Sequence, residues 1–201
     1  MQKFDLPKLG ADGLILEGIV TTRNKDGSVN ISPMGPIVDA SISQFVFRPY
    51  RTSTTYKNLK RTGGGVFHIT DDVVLFAQAA LGQPEPLPQL EGLVLTDTCR
   101  WYAFEIDSLD DSQQRTLITA HTVDQSRNRD FFGFNRAKHA VLEAAILATR
   151  VDLLPAAEIF AELERLKVPL EKTASSAELR AFGFLRDHIE LALAQQSIDA
   201  S

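Results

Sequence analysis

The sequence predicts an α+β fold in which strands and helices are segregated along the chain. Three observations carry this. Up to about residue 125, short β-rich runs alternate with Gly, Pro and Asp-Gly turns, interrupted by two small helical patterns. Near Asn128 the composition changes, and the final third holds three helical patterns rich in Ala, Leu and Glu. A chain of 201 residues with 44% hydrophobic content can bury one core plus a compact extension.

Taken in order, Leu14 to Thr22 is a β-rich run ending in R-N-K-D-G-S, a hairpin turn centred on Asp26-Gly27. Val29 to Ser32 is the return strand. The S-P-M-G-P segment that follows is too rich in Pro and Gly for a regular ladder and predicts a bulge or crossover. Ile37 to Val38 and Gln44 to Phe47 are further short strands. Thr55 to Arg61 predicts a helix capped by Thr52 or Ser53 and stopped by Gly63-Gly64-Gly65. Val66 to Thr70 is then a strand, and Asp71 to Leu81 a second short helix, capped by Asp71 or Asp72, with Phe76, Ala79 and Ala80 inward. After a proline-rich connection come Arg100 to Ile106 and Thr116 to Val123, two longer strands separated by the acidic turn D-S-L-D-D-S. Asn135 to Arg150 predicts a helix capped by Asn135 with Val141, Ala144, Ala145 and Ala148 on one face. Pro155 suits the start of the next, and Ser175 with Glu178 has capping-box spacing for the last. The expected division is residues 1–128 and residues 129–201, the latter a helical extension packed on the first part or on a dimer interface.

Composition excludes several function classes. A net charge of −5 disfavours a protein that works by neutralising a nucleic-acid backbone, so no nucleic-acid partner is expected. A single cysteine, Cys99, allows no internal disulfide. No apolar leader or 18-residue apolar run occurs, so the expectation is a cytoplasmic protein without a membrane partner. His68, His121, His139 and His188 lack metal-ligand spacing, so no metal is expected. Neither a phosphate-loop signature nor a nucleophile elbow is present. Cys99 reads as a buried small hydrophobe, the Asp71-Asp72 and Asp110-Asp111 pairs as caps and turns, and Glu143 as the partner of Arg136 or His139 in a structural ion pair.

The chemistry concentrates in Phe47 to Leu59, F-R-P-Y-R-T-S-T-T-Y-K-N-L. Hydroxyls, arginines and a helix start coincide there, and the first amides of a helix favour an anion. An ordinary solvated helix cap explains the same residues. Arg48 precedes Pro49 on the strand side and reads as the partner of a neighbouring carboxylate. In Asn30 to Pro36, the prolines leave backbone groups free of strand pairing, and Met34 offers a polarizable side chain beside a planar ring. A phosphate holder beside such a loop suits a phosphorylated planar cofactor.

These segments, in this order and spacing, resemble the FMN-binding split-barrel family related to flavin reductases and pyridoxamine-phosphate oxidases. The likeness runs through V-T-T (Val20 to Thr22), D-G-S-V-N-I-S-P-M-G (Asp26 to Gly35), R-T-S-T-T-Y-K-N-L (Arg51 to Leu59) and V-F-H-I-T-D (Val66 to Asp71). The added F-N-R-A-K-H-A-V-L-E-A-A-I (Phe134 to Ile146) resembles a branch of uncharacterised proteins from archaea and some bacteria. The resemblance implies a small antiparallel split β-barrel with a C-terminal three-helix extension, forming a homodimer with FMN between subunits. It implies that Arg51, Thr52, Ser53, Thr55 and Asn58 meet the phosphate and ribityl chain. Ser32, Met34 and Gly35 would lie along the isoalloxazine, and Asn135, with Arg136, near the cofactor or the dimer seam. The implied activity is an oxidoreductase passing hydride between a reduced donor and a small acceptor, with no catalytic side chain assigned. A carrier or sensor without turnover, or a barrel holding pyridoxal phosphate or a deazaflavin, is the alternative.

Overall fold

A computed structural model of the chain describes residues 13–82 and 84–199, with side chains to residue 196. It divides into two compact units: one runs through Thr70 and takes in Leu87–Asp130, the other holds Asp71–Pro86 and the chain from Phe131 onward.

The first unit is built on β1 (Leu14–Ile15), β2 (Gly18–Arg23), β3 (Val29–Met34), β4 (Ile37–Val38), β5 (Gln44–Phe47), α1 (Thr54–Thr62), β6 (Gly64–Ile69), β7 (Leu90–Glu91), β8 (Val94–Leu95), β9 (Arg100–Asp110) and β10 (Leu117–Arg127). Eight of these strands form one antiparallel sheet in the order β1-β4-β5-β10-β9-β6-β2-β3. Its two ends belong to the same two lengths of chain. β1 and β2 are halves of one bent segment, as are β3 and β4, and a hydrogen bond from Leu16 N to Pro36 O (3.0 Å) joins the two at the bend. The sheet therefore curls into a split barrel, closed through β4 and β5 and, among the described residues, open along the outer edge of β3. This is the expected fold, and the three C-terminal helices of the expected extension are present in the second unit.

The barrel core is aromatic. Phe45, Phe47, Phe67 and Phe104 are fully buried, with ring centroids 4.7–5.6 Å apart in the contacting pairs. Tyr56 and Leu59 of α1 join this cluster with Val20, Tyr102, Ile118 and Ala120, so α1 is seated on the barrel by its apolar face.

Several expectations are corrected. The Ser-Pro-Met segment does not break the ladder: Ser32, Pro33 and Met34 continue opposite Val20, Ile19 and Gly18. Pro33 is tolerated because, among the described residues, β3 has β2 on one side and no strand on the other, so the missing N–H interrupts no second ladder there. Of the three glycines after α1, only Gly63 is the helix stop, at φ 76°. Gly64 and Gly65 belong to β6, where an added Cβ would come within 2.5 Å of Phe104 O and 2.8 Å of Thr21 O respectively. The acidic turn is shorter than expected, since β9 runs on through Asp107–Asp110, and β7 and β8 have no counterpart in the sequence reading. Glu143 makes no ion pair with any described residue.

The second unit contains α2 (Val73–Leu81), α3 (Arg136–Ala148), α4 (Ala156–Thr173) and α5 (Ser176–Asp199). Asp72 caps α2 through Val74 N and Leu75 N. Phe76 and Ala79 are buried, whereas Ala80 is half-buried. The expected apolar face of α3, Val141, Ala144, Ala145 and Ala148, is buried. The capping box of α5 is formed: Ser175 N and Oγ both donate to Glu178 Oε2, at 2.8 and 2.5 Å. Burial alone would raise the Glu178 pKa, but those bonds and Lys138 hold it at about 2.

Candidate functional site

Ser53 caps α1 as expected, its Oγ accepting from Tyr56 N at 3.2 Å, which leaves the hydroxyl hydrogen able to donate outward. Thr54 and Thr55 occupy the first helical turn, where no preceding helical carbonyl reaches their amides. Arg51 and Thr52 are exposed in the turn just before the cap, and Arg51 has no ion pair with any described residue. An exposed guanidinium, two hydroxyls and open amides thus converge at one helix start.

The chain fixes this turn from both sides. Arg51 N donates to Gln114 O (2.9 Å) and Thr116 N to Pro49 O (3.0 Å), pinning it to the segment before β10. Below it, Tyr56 Oη donates to Asp111 Oδ2 at 2.5 Å, and Lys60 Nζ meets the same oxygen at 2.6 Å. The Lys60 and Tyr56 hydrogen bonds hold the Asp111 carboxyl at about 2, with the charges of Lys60 and Arg51 adding to the effect. Asp111 is thereby occupied, and Arg51 feels its charge without being bound to it.

Thr55 and Asn58 face inward. Asn30 Nδ2 donates to Thr55 Oγ1 (3.1 Å) and Thr22 Oγ1 (3.3 Å), while Asn58 Nδ2 donates to Thr22 Oγ1 (3.1 Å) and Asn24 Oδ1 (2.7 Å). Asn58 Oδ1 accepts from Arg61 at 3.3 Å. This buried polar network ties α1 to β2 and β3, and it separates Thr55 and Asn58 from the exposed Arg51 and Thr52 and the half-buried Ser53.

On β3, register decides direction. Ser32 lies opposite Val20 and Met34 opposite Gly18, while Val20 in turn lies opposite Phe67. Residues paired across strands share a face, so Ser32 and Met34 project to the side of the aromatic core, against which Met34 packs. The Met34 thioether is thus engaged with protein, and the open edge of β3 offers backbone groups instead. Gly35 is held by proximity: an added Cβ would sit 2.6 Å from Glu17 Oε1.

Asn135 belongs to the second unit. Its Oδ1 accepts from Ala137 N (2.9 Å) and Lys138 N (3.1 Å), and its Nδ2 donates to Thr173 O (3.1 Å). It caps α3 and clasps the end of α4.

Arg48 departs from the sequence reading. No carboxylate of a described residue pairs with it; its charged neighbour is Arg115, whose Nε donates to Arg48 O at 3.2 Å. Arg115, Asp111, Asn24 and Asn30 are the residues that sequence reasoning missed. The first two come from the turn between β9 and β10, and no local signal links that turn to residues 48–60.

Among the described residues, no group of three or more His, Cys, Asp or Glu is arranged to hold a metal ion, and no helix is long and apolar enough to cross a membrane. His68 and the buried Cys99 are taken up within the fold, His68 by Ile19 O and Leu95 N.

Residues 16–129 match the N-terminal domain, and residues 135–187 the second part, of a family described as protein of unknown function (DUF447). No curated protein matches significantly. Among solved structures, the chain is similar to an FMN-bound DUF447 protein from Methanosarcina mazei, at 21% identity and a TM-score of 0.75, over 89% of this chain and 97% of that one. Weaker likenesses include the styrene monooxygenase flavin reductase of Pseudomonas putida S12 (13% identity, TM-score 0.47, 56% and 79% of the two chains). Another is an FMN-binding protein of Thermus thermophilus (12%, 0.46, 64% and 79%).

Proposed function

The chain belongs to the DUF447 family, and from that premise we propose that it binds FMN and works as a flavin-dependent oxidoreductase. One observation carries the reading: the Arg51-Thr52-Ser53 turn, with Arg51 and Thr52 exposed and Ser53 half-buried, which sets a guanidinium and two hydroxyls before the unpaired first amides of α1. A phosphate monoester suits that donor set, because open helix amides and a guanidinium fork both favour an oxyanion. The FMN bound by the Methanosarcina mazei relative supports the same ligand.

In this proposal Arg51, Thr52 and Ser53 hold the phosphate. Thr55 and Asn58 act from behind, keeping α1 at a fixed depth on β2 and β3. The edge of β3 from Ser32 to Met34, with Gly35 just after it, offers backbone groups to the ring, and Gly35 admits close approach on the side away from Glu17. Asn135 is left with its capping role. Bound FMN would supply the hydride chemistry, which leaves the chain the tasks of binding, orienting and excluding water. The homodimer implied by the resemblance is part of the proposal, and light scattering of the purified protein reads it directly.

The activity is tested by anaerobic mixing of the FMN-loaded protein with NADH or NADPH. Bleaching of the flavin band, reversed by an added acceptor, is the expected result. A band that stays unchanged with both donors contradicts the oxidoreductase reading with these donors and favours a carrier.

A further inference from the structure

The turn that carries Arg51 presents a second basic cluster on its other side, and the cofactor reading does not use it. Tyr50 lies opposite Arg115 in an isolated antiparallel bridge. Opposed residues share a side, and the Arg115 guanidinium sits over the Tyr50 ring, 5.6 Å from its centroid. Arg48, two residues before Tyr50 in extended chain, projects the same way, with the buried Pro49 between them turned inward. Arg51, the next residue, lies near enough to Asp111 for its charge to lower that carboxyl's pKa.

The Arg48 backbone and the Tyr50 ring thus hold the Arg115 guanidinium in place, and the Arg48 side chain lies near enough to feel its charge. Arg115 is pinned by the Arg48 carbonyl at one end and the Tyr50 ring at its face, so its outer N–H groups are aimed rather than free to roam. Arg48 is half-buried, and neither arginine has a carboxylate partner among the described residues. Desolvation first, and the Arg115 charge second, lower the Arg48 pKa from its ordinary value. Like charges brought together at a partly desolvated surface are unfavourable until an anion comes between them. Paired planar forks match an oxyanion that can accept from both at once.

We propose that Arg48 and Arg115, with Tyr50 beside them, form a phosphate-binding subsite separate from the start of α1, fit for the phosphate group of a second ligand. The subsite stands on its own residues and does not depend on the cofactor reading.

The test titrates inorganic phosphate calorimetrically into the full-length protein saturated with FMN, with chloride balancing ionic strength. Saturable binding to the wild type is expected. Arg48→Gln and Arg115→Gln should each weaken it at least about tenfold, and Arg48→Lys, which keeps the charge but loses the fork, should restore only part. Arg115 is exposed, so its variant reads the subsite even where Arg48→Gln does not fold. Absence of saturable phosphate binding to the wild type overturns the proposal. So does a loss of FMN affinity relative to riboflavin in Arg115→Gln, because it would place the cofactor's own phosphate there. A protein that takes up no FMN is titrated in its cofactor-free form, which reads the two proposals separately.

Discussion

Removing the titratable ring of His68 should flatten the pH dependence of stability. His68 lies on β6 with no exposed surface, its Nδ1 3.2 Å from Ile19 O and its Nε2 receiving the Leu95 N–H at 3.0 Å. A carbonyl only accepts and an amide only donates, so Nδ1 carries the hydrogen and Nε2 is bare. The ring is neutral and has no place for a second proton. Burial accordingly pushes its pKa from 6.5 down to about 4, against a smaller opposing effect from the Ile19 carbonyl. In that window the unfolded chain binds a proton that the folded chain refuses. Stability from this group is thus fully present above about 6.5, falls as pH drops through the window, and levels off below about 4. At about 1.36 kcal/mol per unit, the full loss is about 3 kcal/mol. Urea unfolding of wild type and His68→Gln from about pH 7.5 to about pH 4 measures it, because the other groups titrate alike in both and cancel. The wild type should lose about 3 kcal/mol more than the variant across that range. Parallel curves would refute the reasoning.

Other consequences follow from the same contacts. Asn58→Ala takes the donor from the partly buried Asn24 Oδ1 and one of two donors from Thr22 Oγ1, which keeps Asn30, so urea unfolding should show a loss of about 1–2 kcal/mol. Glu178 contributes stability that is present above about 4.5 and lost as pH falls through about 2. Glu178→Gln should therefore cost up to about 3 kcal/mol at neutral pH and show a shallower acid transition by circular dichroism.

Much of the fold was legible because its signals are local. The Asp26-Gly27 hairpin, the Ser53 and Asn135 caps, the Gly63 stop and the Ser175–Glu178 capping box each lie within a few residues of the element they define, and each is formed as expected. What escaped depends on neighbours distant in sequence. Pro33 can sit in a ladder because β3 has no second neighbour among the described strands, and Gly64 is required by the Phe104 carbonyl across the β6–β9 pair. The candidate site divides in the same way. Arg51, Thr52 and Ser53 stand together where their spacing put them, at an exposed helix start. Thr55 and Asn58 share the same helix but face Asn30, Thr22 and Asn24, a direction that the packing of α1 on β2 and β3 decides. Arg115 reaches the turn from more than sixty residues away, through a backbone bridge that carries no side-chain pattern.

The most direct measurement of the central claim is a fluorescence titration of the cofactor-free protein with FMN and with riboflavin, beside the double variant Arg51→Ala, Thr52→Ala. The wild type should quench FMN fluorescence saturably and prefer FMN to riboflavin. The double variant should lose FMN affinity by more than about tenfold while holding riboflavin as before. No saturable response to FMN, or an FMN affinity unchanged in the double variant, would contradict a phosphate held at the start of α1.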